Sequence, residues 1–251
     1  MFKLFDFNLI SRPISETSSD DDVKPGKYSD TNTFIVQMFG INERGESAAI
    51  YVDEFKPFFY LKVKNNWTKN KKDEFLRHVK ERVGAYYSNS ITECLLIGRR
   101  KLYGYDNGAK HKFLKLTFAN TGALNKVKNW WFEDVISPDG SKERMLIEGG
   151  YRFGNTGIEI YEANIPPLLR FFHIKELSPS GWVMLPEKKT IVIQDDDKKT
   201  TCDYEYAIDY NNMVPLNDKE TAVPYKKMSF DIEASSSHGD FPIAKKDTKK
   251  L

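Results

Sequence analysis

The stretch "TFIVQMFGINERGESAAIYVDEFKPFFYLKV", Thr33 to Val63, sets the frame for the whole chain. On either side of "NERGE" apolar and polar residues alternate, the period of two that marks strands, and Gly45 supplies the backbone freedom a hairpin turn needs. "KPFFYLKV" adds a further strand, with Pro57 at its start, where a missing N–H is tolerated. The organisation is therefore led by sheet.

Toward the amino terminus, residues 11–32 are polar and contain Pro13, Pro25 and Gly26, which reads as a long connection between two strands. Asp20, Asp21 and Asp22 within it read as a solvated turn rather than as metal ligands. Toward the carboxyl terminus, Phe75, Val79 and Val83 recur at a spacing of four between Thr68 and Tyr87, giving a helix with Gly84 at its end. "ECLLIGRRKLYGYDNGAKHKFLKLTF" returns to strand, broken at a turn that Asn107 and Gly108 can make. Thr121 can cap a helix through Leu124, Val127, Trp130 and Trp131. "GIEIYEANIPPLLRFFHIKEL" reads as strand then helix, with Asn164 as cap and Pro166 and Pro167 in the first turn. "KKTIVIQDDDKKTTCDYEYAIDY" is a further β segment with Asp195 to Asp197 at a hairpin tip, and residues 211–225 are a connector holding a domain boundary.

At 251 residues and 40% hydrophobic content the chain can bury a substantial core, as one large domain or two ordinary ones. A formal charge of +2 confines any nucleic-acid surface to a local patch. Cys94 and Cys202 stand far apart, which argues against a disulfide framework or a zinc module, and a reducing compartment is the simpler assumption. No apolar run approaches the roughly 18 residues of a membrane span and no signal peptide is legible, so a soluble intracellular protein without a membrane partner is expected.

Two places can carry chemistry. In "KKMSFDIEASSSHGDFP", Lys226 to Pro242, a strand would set Asp231 and Glu233 on one face, where two carboxylates can share a divalent metal. Such oxygen ligands suit Mg²⁺ or Mn²⁺ and phosphodiester cleavage, yet two are too few for a two-metal site. His238, in the following loop, reads as exposed. Between residues 98 and 115, Arg99, Arg100, Lys101, Lys110, Lys112 and Lys115 are opposed by Asp106 alone, with Tyr103, Tyr105 and Phe113 interleaved. Cations beside rings are what single-strand binding on a small β-barrel requires. A solubilising hairpin whose lysines block edge pairing is the equal alternative. A phosphate-binding glycine loop, a nucleophile elbow and a helical zinc motif are all missing.

With those residues in view, the chain resembles the replicative family B DNA polymerases, especially the delta-like enzymes of eukaryotes and large DNA viruses. "SFDIEASSSHGDFP" is similar to their first exonuclease motif. "FKPFFYLKV" resembles their amino-terminal aromatic strand, "RRKLYGYDNGAKHKFLKLTF" a segment ending in a hydrophobic strand, and "IYEANIPPLLRFFHIKELSPSGWVMLP" the strand-helix element leading to the exonuclease, all in the family's order. The resemblance implies an α+β fold: residues 1–220 as the amino-terminal domain with an OB-like β-barrel, and residues 221–251 as the start of a truncated ribonuclease-H-like 3′–5′ exonuclease. It implies Asp231 and Glu233 as catalytic metal ligands for Mg²⁺ or Mn²⁺. Arg99, Arg100, Lys101, Tyr103, Tyr105, Lys110 and Lys112 become candidate DNA contacts. Pro57 and Phe58 match two positions of a template-base pocket in archaeal relatives, which the eukaryotic and viral branch is not expected to use. Single-stranded template, primer-template, the rest of the polymerase in cis or trans and a sliding clamp are the partners this implies, in the nucleus or at a cytoplasmic viral replication site. The chain alone is expected to be catalytically inactive, with its last strand, from residue 226 on, loosely docked or disordered. A stand-alone single-strand-binding module derived from a polymerase is the alternative, and a small nuclease using Asp231 and Glu233, with only Asp240 and Asp247 following, the remoter one.

Overall fold

The computed structural model describes residues 1–13, 30, 32–101, 104–137 and 140–231. In chain order these form β1 (Phe2–Pro13), β2 (Asn32–Ile41), β3 (Ser47–Asp53), β4 (Phe58–Val63), α1 (Lys69–Val83), α2 (Ala85–Ser88), β5 (Ile91–Arg100) and β6 (Lys110–Phe118). There follow α3 (Thr121–Lys128), β7 (Phe132–Ile136), β8 (Lys142–Leu146), β9 (Tyr151–Phe153), β10 (Thr156–Tyr161), α4 (Pro167–Lys175), β11 (Trp182–Met184), β12 (Thr190–Ile193), β13 (Tyr204–Asp209) and β14 (Val214–Leu216). The class is mixed α+β and strand-rich.

The opening stretch folds as its alternation dictates. β2 and β3 pair antiparallel through a turn in which the Asn42 side chain accepts from the Arg44 and Glu46 amides, both at 2.9 Å, while Gly45 takes φ +86°. Phe34, Val36 and Met38 of β2 and Ala48, Ile50 and Val52 of β3 enter one core, closed by Phe171 of α4. The opposite face of this hairpin is also buried, with Gln37 donating to the Tyr51 hydroxyl at 3.3 Å. These strands belong to a seven-stranded sheet of order β12-β13-β3-β2-β1-β11-β14, in which β13 lies parallel to β3. Residues 54–203 thus intervene between two neighbouring strands.

Most of that interval builds a second sheet, β5-β6-β4-β10-β9. Taken as β4-α1-β5-β6-α3-β10, its first four strands have the split βαβ topology of ferredoxin-like units, the first and third strands at the centre. Phe59, Leu61 and Val63 of β4 and Leu114 and Leu116 of β6 point to one face, where Phe75, Val79 and Val83 of α1 and Leu124 and Val127 of α3 cover them. α1 has the expected ends: Thr68 accepts from the Lys71 amide, and Gly84 takes φ +89°. The Trp131 indole donates to the Ile158 carbonyl at 2.6 Å, fastening the turn after α3 to β10.

Three local expectations are corrected. The cap of α3 is Asn120, whose Oδ1 accepts from Ala123, because Asp30 holds the Asn120 amide group from the other side at 2.6 Å. Asn164 caps nothing: α4 starts at Pro167, where a missing N–H costs no intrahelical bond. The connector contains a strand, β14, paired with β11. The stretch Asp20 to Asp22 lies outside the described residues.

Candidate nucleic-acid interface

Strand alternation divides the second sheet into two unlike faces. Opposite the helix-covered face lie Phe58, Tyr60 and Lys62 of β4, aligned across the sheet with Thr117, Lys115 and Phe113 of β6 and, through β6, with Glu93, Leu95 and Ile97 of β5. Glu159 and Tyr161 of β10 continue the same rows, and Arg152 of β9, opposite Gly157, extends them.

Rings and cations meet on this face. Phe58 is held between two cations, the Lys115 ammonium 4.2 Å and the Arg170 guanidinium 4.4 Å from its ring centroid. Tyr60 stands edge-on to Phe58 at 5.5 Å, and Tyr161 edge-on to Phe113 at 5.4 Å. Lys62 bonds Glu159 at 2.8 Å, and Arg170 bonds Glu162 at 2.8 Å, so both cations are neutralised locally. Burial, then the hydrogen bond from its hydroxyl to Glu159, pushes the Tyr161 phenol up to about 12. Tyr60 is raised as well, by burial and then by Glu162. Both tyrosines therefore stay neutral at physiological pH, as rings and as donors. Tyr60, Tyr161, Arg152 and Arg170 escaped sequence reasoning, because a shared face emerges only once the register between distant strands is known.

The cluster read between residues 98 and 115 does not form one patch. Arg99 pairs with His111 and faces the open side, whereas Arg100 with Lys110, and Gly98 with Lys112, face the helix side beyond the end of the core. Lys112 is committed there, donating to the Trp67 carbonyl at 2.7 Å. Asp106 turns the loop inward. It bonds His111 at 2.5 Å, with Lys101 4.0 Å away, and that hydrogen bond holds its carboxyl below the usual range. Tyr105 is 95% exposed, and Tyr103 lies outside the described residues. Pro57 and Phe58 are both buried.

The strand expected from Lys226 to Ala234 is not formed over its described part: residues 226–231 are irregular and exposed, Phe230 at 76%. An apolar strand persists when neighbours take up its backbone groups, and no strand among the described residues lies alongside it. Asp231 is exposed, and Glu233, His238, Asp240 and Asp247 lie outside the described residues. Among the described residues no three His, Cys, Asp or Glu side chains are grouped to hold a metal, so these residues alone do not fit one. No described helix is long and apolar enough to cross a membrane. A cleft of about 380 Å³ between β8 and α4, lined by Phe132, Leu146, Ile160 and Leu169, is largely apolar.

Residues 158–250 match the family model described as DNA polymerase family B, exonuclease domain. A DNA polymerase of Phaeocystis pouchetii virus is 45% identical over the whole chain, which covers 23% of that polymerase. The DNA polymerase delta catalytic subunit of Schizosaccharomyces pombe is 24% identical over 82% of the chain and 18% of its own length. Among solved structures, the family B DNA polymerase of Pyrobaculum calidifontis superposes with a TM-score of 0.51 at 14% identity, covering 89% of the chain and 21% of that structure, a likeness of fold. The chain spans less than a quarter of the length of each of these proteins.

Proposed function

Because the chain is similar over its whole length to a viral DNA polymerase, over 82% of its length to a delta catalytic subunit, and over residues 158–250 to the family B exonuclease model, we propose that it forms the amino-terminal portion of a replicative DNA-directed DNA polymerase that proofreads through a 3′–5′ exonuclease. The observation that carries this reading is the 45% identity to a viral DNA polymerase sustained from end to end. In it, residues 1–220 are the amino-terminal domain, with the seven-stranded sheet as its OB-like unit, and residues 221–251 open the exonuclease. Asp231 and Glu233 bind Mg²⁺ or Mn²⁺ there together with acids from the remainder of the polymerase, in cis or trans. That metal supplies charge neutralisation at the scissile phosphate. Single-stranded template passes over the amino-terminal domain, Arg99 to Lys112 and the Pro57–Phe58 corner being the sequence-derived contacts, and a sliding clamp is a further partner.

A chimera tests this. The chain replaces its counterpart in the Phaeocystis pouchetii virus polymerase, and primer extension and 3′–5′ degradation are measured. Both activities are expected, with Asp231→Ala lowering degradation at least 100-fold while extension persists. Full degradation by the Asp231→Ala chimera would overturn the exonuclease assignment.

A further inference from the structure

On the open face of the second sheet, only Arg99 and Phe58 are named above as template contacts, and the rings beside them have no assigned role. We propose that it is a stacking platform for single-stranded DNA, with Tyr60 and Tyr161 as the rings beneath the bases and Lys115, Arg99 and Arg152 as the phosphate contacts. The choice of DNA rests on the polymerase reading, while the platform rests on geometry.

Three observations converge on it. First, the split βαβ topology puts α1 and α3 on one face of the sheet; on the other, Phe58, Phe113 and Thr117 are buried and Arg170 of α4 lies over Phe58, while Tyr60 and Tyr161 remain partly exposed. Small four-stranded sheets of this topology stack two or three bases of a single strand on aromatics of the face away from their helices. Second, Tyr60 and Tyr161 are direct cross-strand partners on β4 and β10 and are both partly exposed, with Leu95 and Ile97 of β5, across β6, as an apolar margin. Bases stack on any such ring without sequence preference. Third, charge on this face is divided in a useful way. Lys62 and Arg170 are neutralised by Glu159 and Glu162, which brace the strands, whereas Lys115, Arg99 and Arg152 have no carboxylate within salt-bridge distance among the described residues. Three cations flanking two rings complement a polyanion that carries stacking bases. The Arg100, Lys110 and Lys112 edge lacks this pairing, since Lys112 is spent on a backbone carbonyl.

The test is fluorescence anisotropy of the 251-residue chain with a labelled oligo-dT and, in parallel, an oligo-rU of equal length. Oligo-dT should bind with a log–log salt slope of about −2, from roughly 0.7 per phosphate for three contacts. Tyr60→Leu with Tyr161→Leu should weaken binding about ten-fold or more, and the corresponding Phe variants should restore it. Lys115→Glu should weaken binding and flatten the slope, which keeps the test open should the leucine variants misfold. Lys126→Glu, on α3 behind the sheet, should change little. Wild-type affinity in the leucine and Lys115→Glu variants, or loss confined to Arg100→Glu and Lys110→Glu, would overturn the platform. Tighter binding of oligo-rU would overturn DNA as the strand. No binding by the chain beside an active chimera would sink the platform alone, and an inactive chimera beside intact, tyrosine-dependent binding would sink the polymerase reading alone.

Discussion

At the scale of single residues, two acids have opposite roles. Asp30, 8% exposed, accepts from the Asn120 side chain, the Ser90 hydroxyl and the Asn32 amide, and so ties the starts of β2, β5 and α3 together. Removing a buried acceptor strands its donors, so Asp30→Ala should cost about 2–4 kcal/mol in urea unfolding. Asp53, half-buried opposite Asp209, is a liability: burial first, then Glu54 and Asp209, raises its pKa. A carboxyl with a raised folded pKa stabilises the fold below its unfolded pKa, and this is lost as pH rises through the folded value. Asp53→Asn should therefore raise the urea midpoint at pH 7 and leave it nearly unchanged at pH 3. Neither role was legible in the sequence. Thr121 was read as the cap of α3, and Asp30, ninety positions away, holds Asn120 in that role instead.

At the scale of elements, the local patterns were readable and the pairings were not. The β2–β3 hairpin, α1 with Gly84 at its end, and the strand-turn-strand of β5 and β6 follow from periodicity and turn residues. What alternation could not give was which cations share a face, and the run from Arg99 to Lys115 split accordingly. The β9–β10 hairpin depends on Gly150, at φ +74°, where a Cβ would lie 2.1 Å from the Ile158 carbonyl oxygen. Gly150→Ala should cost about 3 kcal/mol or more and, by displacing Arg152, weaken oligo-dT binding in the same anisotropy assay. Phe75→Ala in α1 should cost about 3–5 kcal/mol by emptying the centre of the second core, a loss that thermal unfolding would register.

At the scale of the molecule, the class and the resemblance to family B polymerases were legible because several short patterns kept their order along the chain, whereas the insertion of one sheet between two neighbouring strands of the other was not. Nothing local in Ser47–Asp53 announces that its partner is Tyr204–Asp209, with residues 54–203 between them. A chain ending before Tyr204 would leave β3 with an unpaired edge and should precipitate or lose cooperative urea unfolding, whereas one ending at 225 should keep it. The same connection imposes a schedule during synthesis. At about 5–20 residues per second, β3 waits roughly 8–30 s for the strand that completes it, long enough for the second sheet, whose strands all lie within the interval, to fold first. On the ribosome, the inner unit is thus built while the outer one stands open, and the edge of β3 is the surface that nascent-chain chaperones would have to guard.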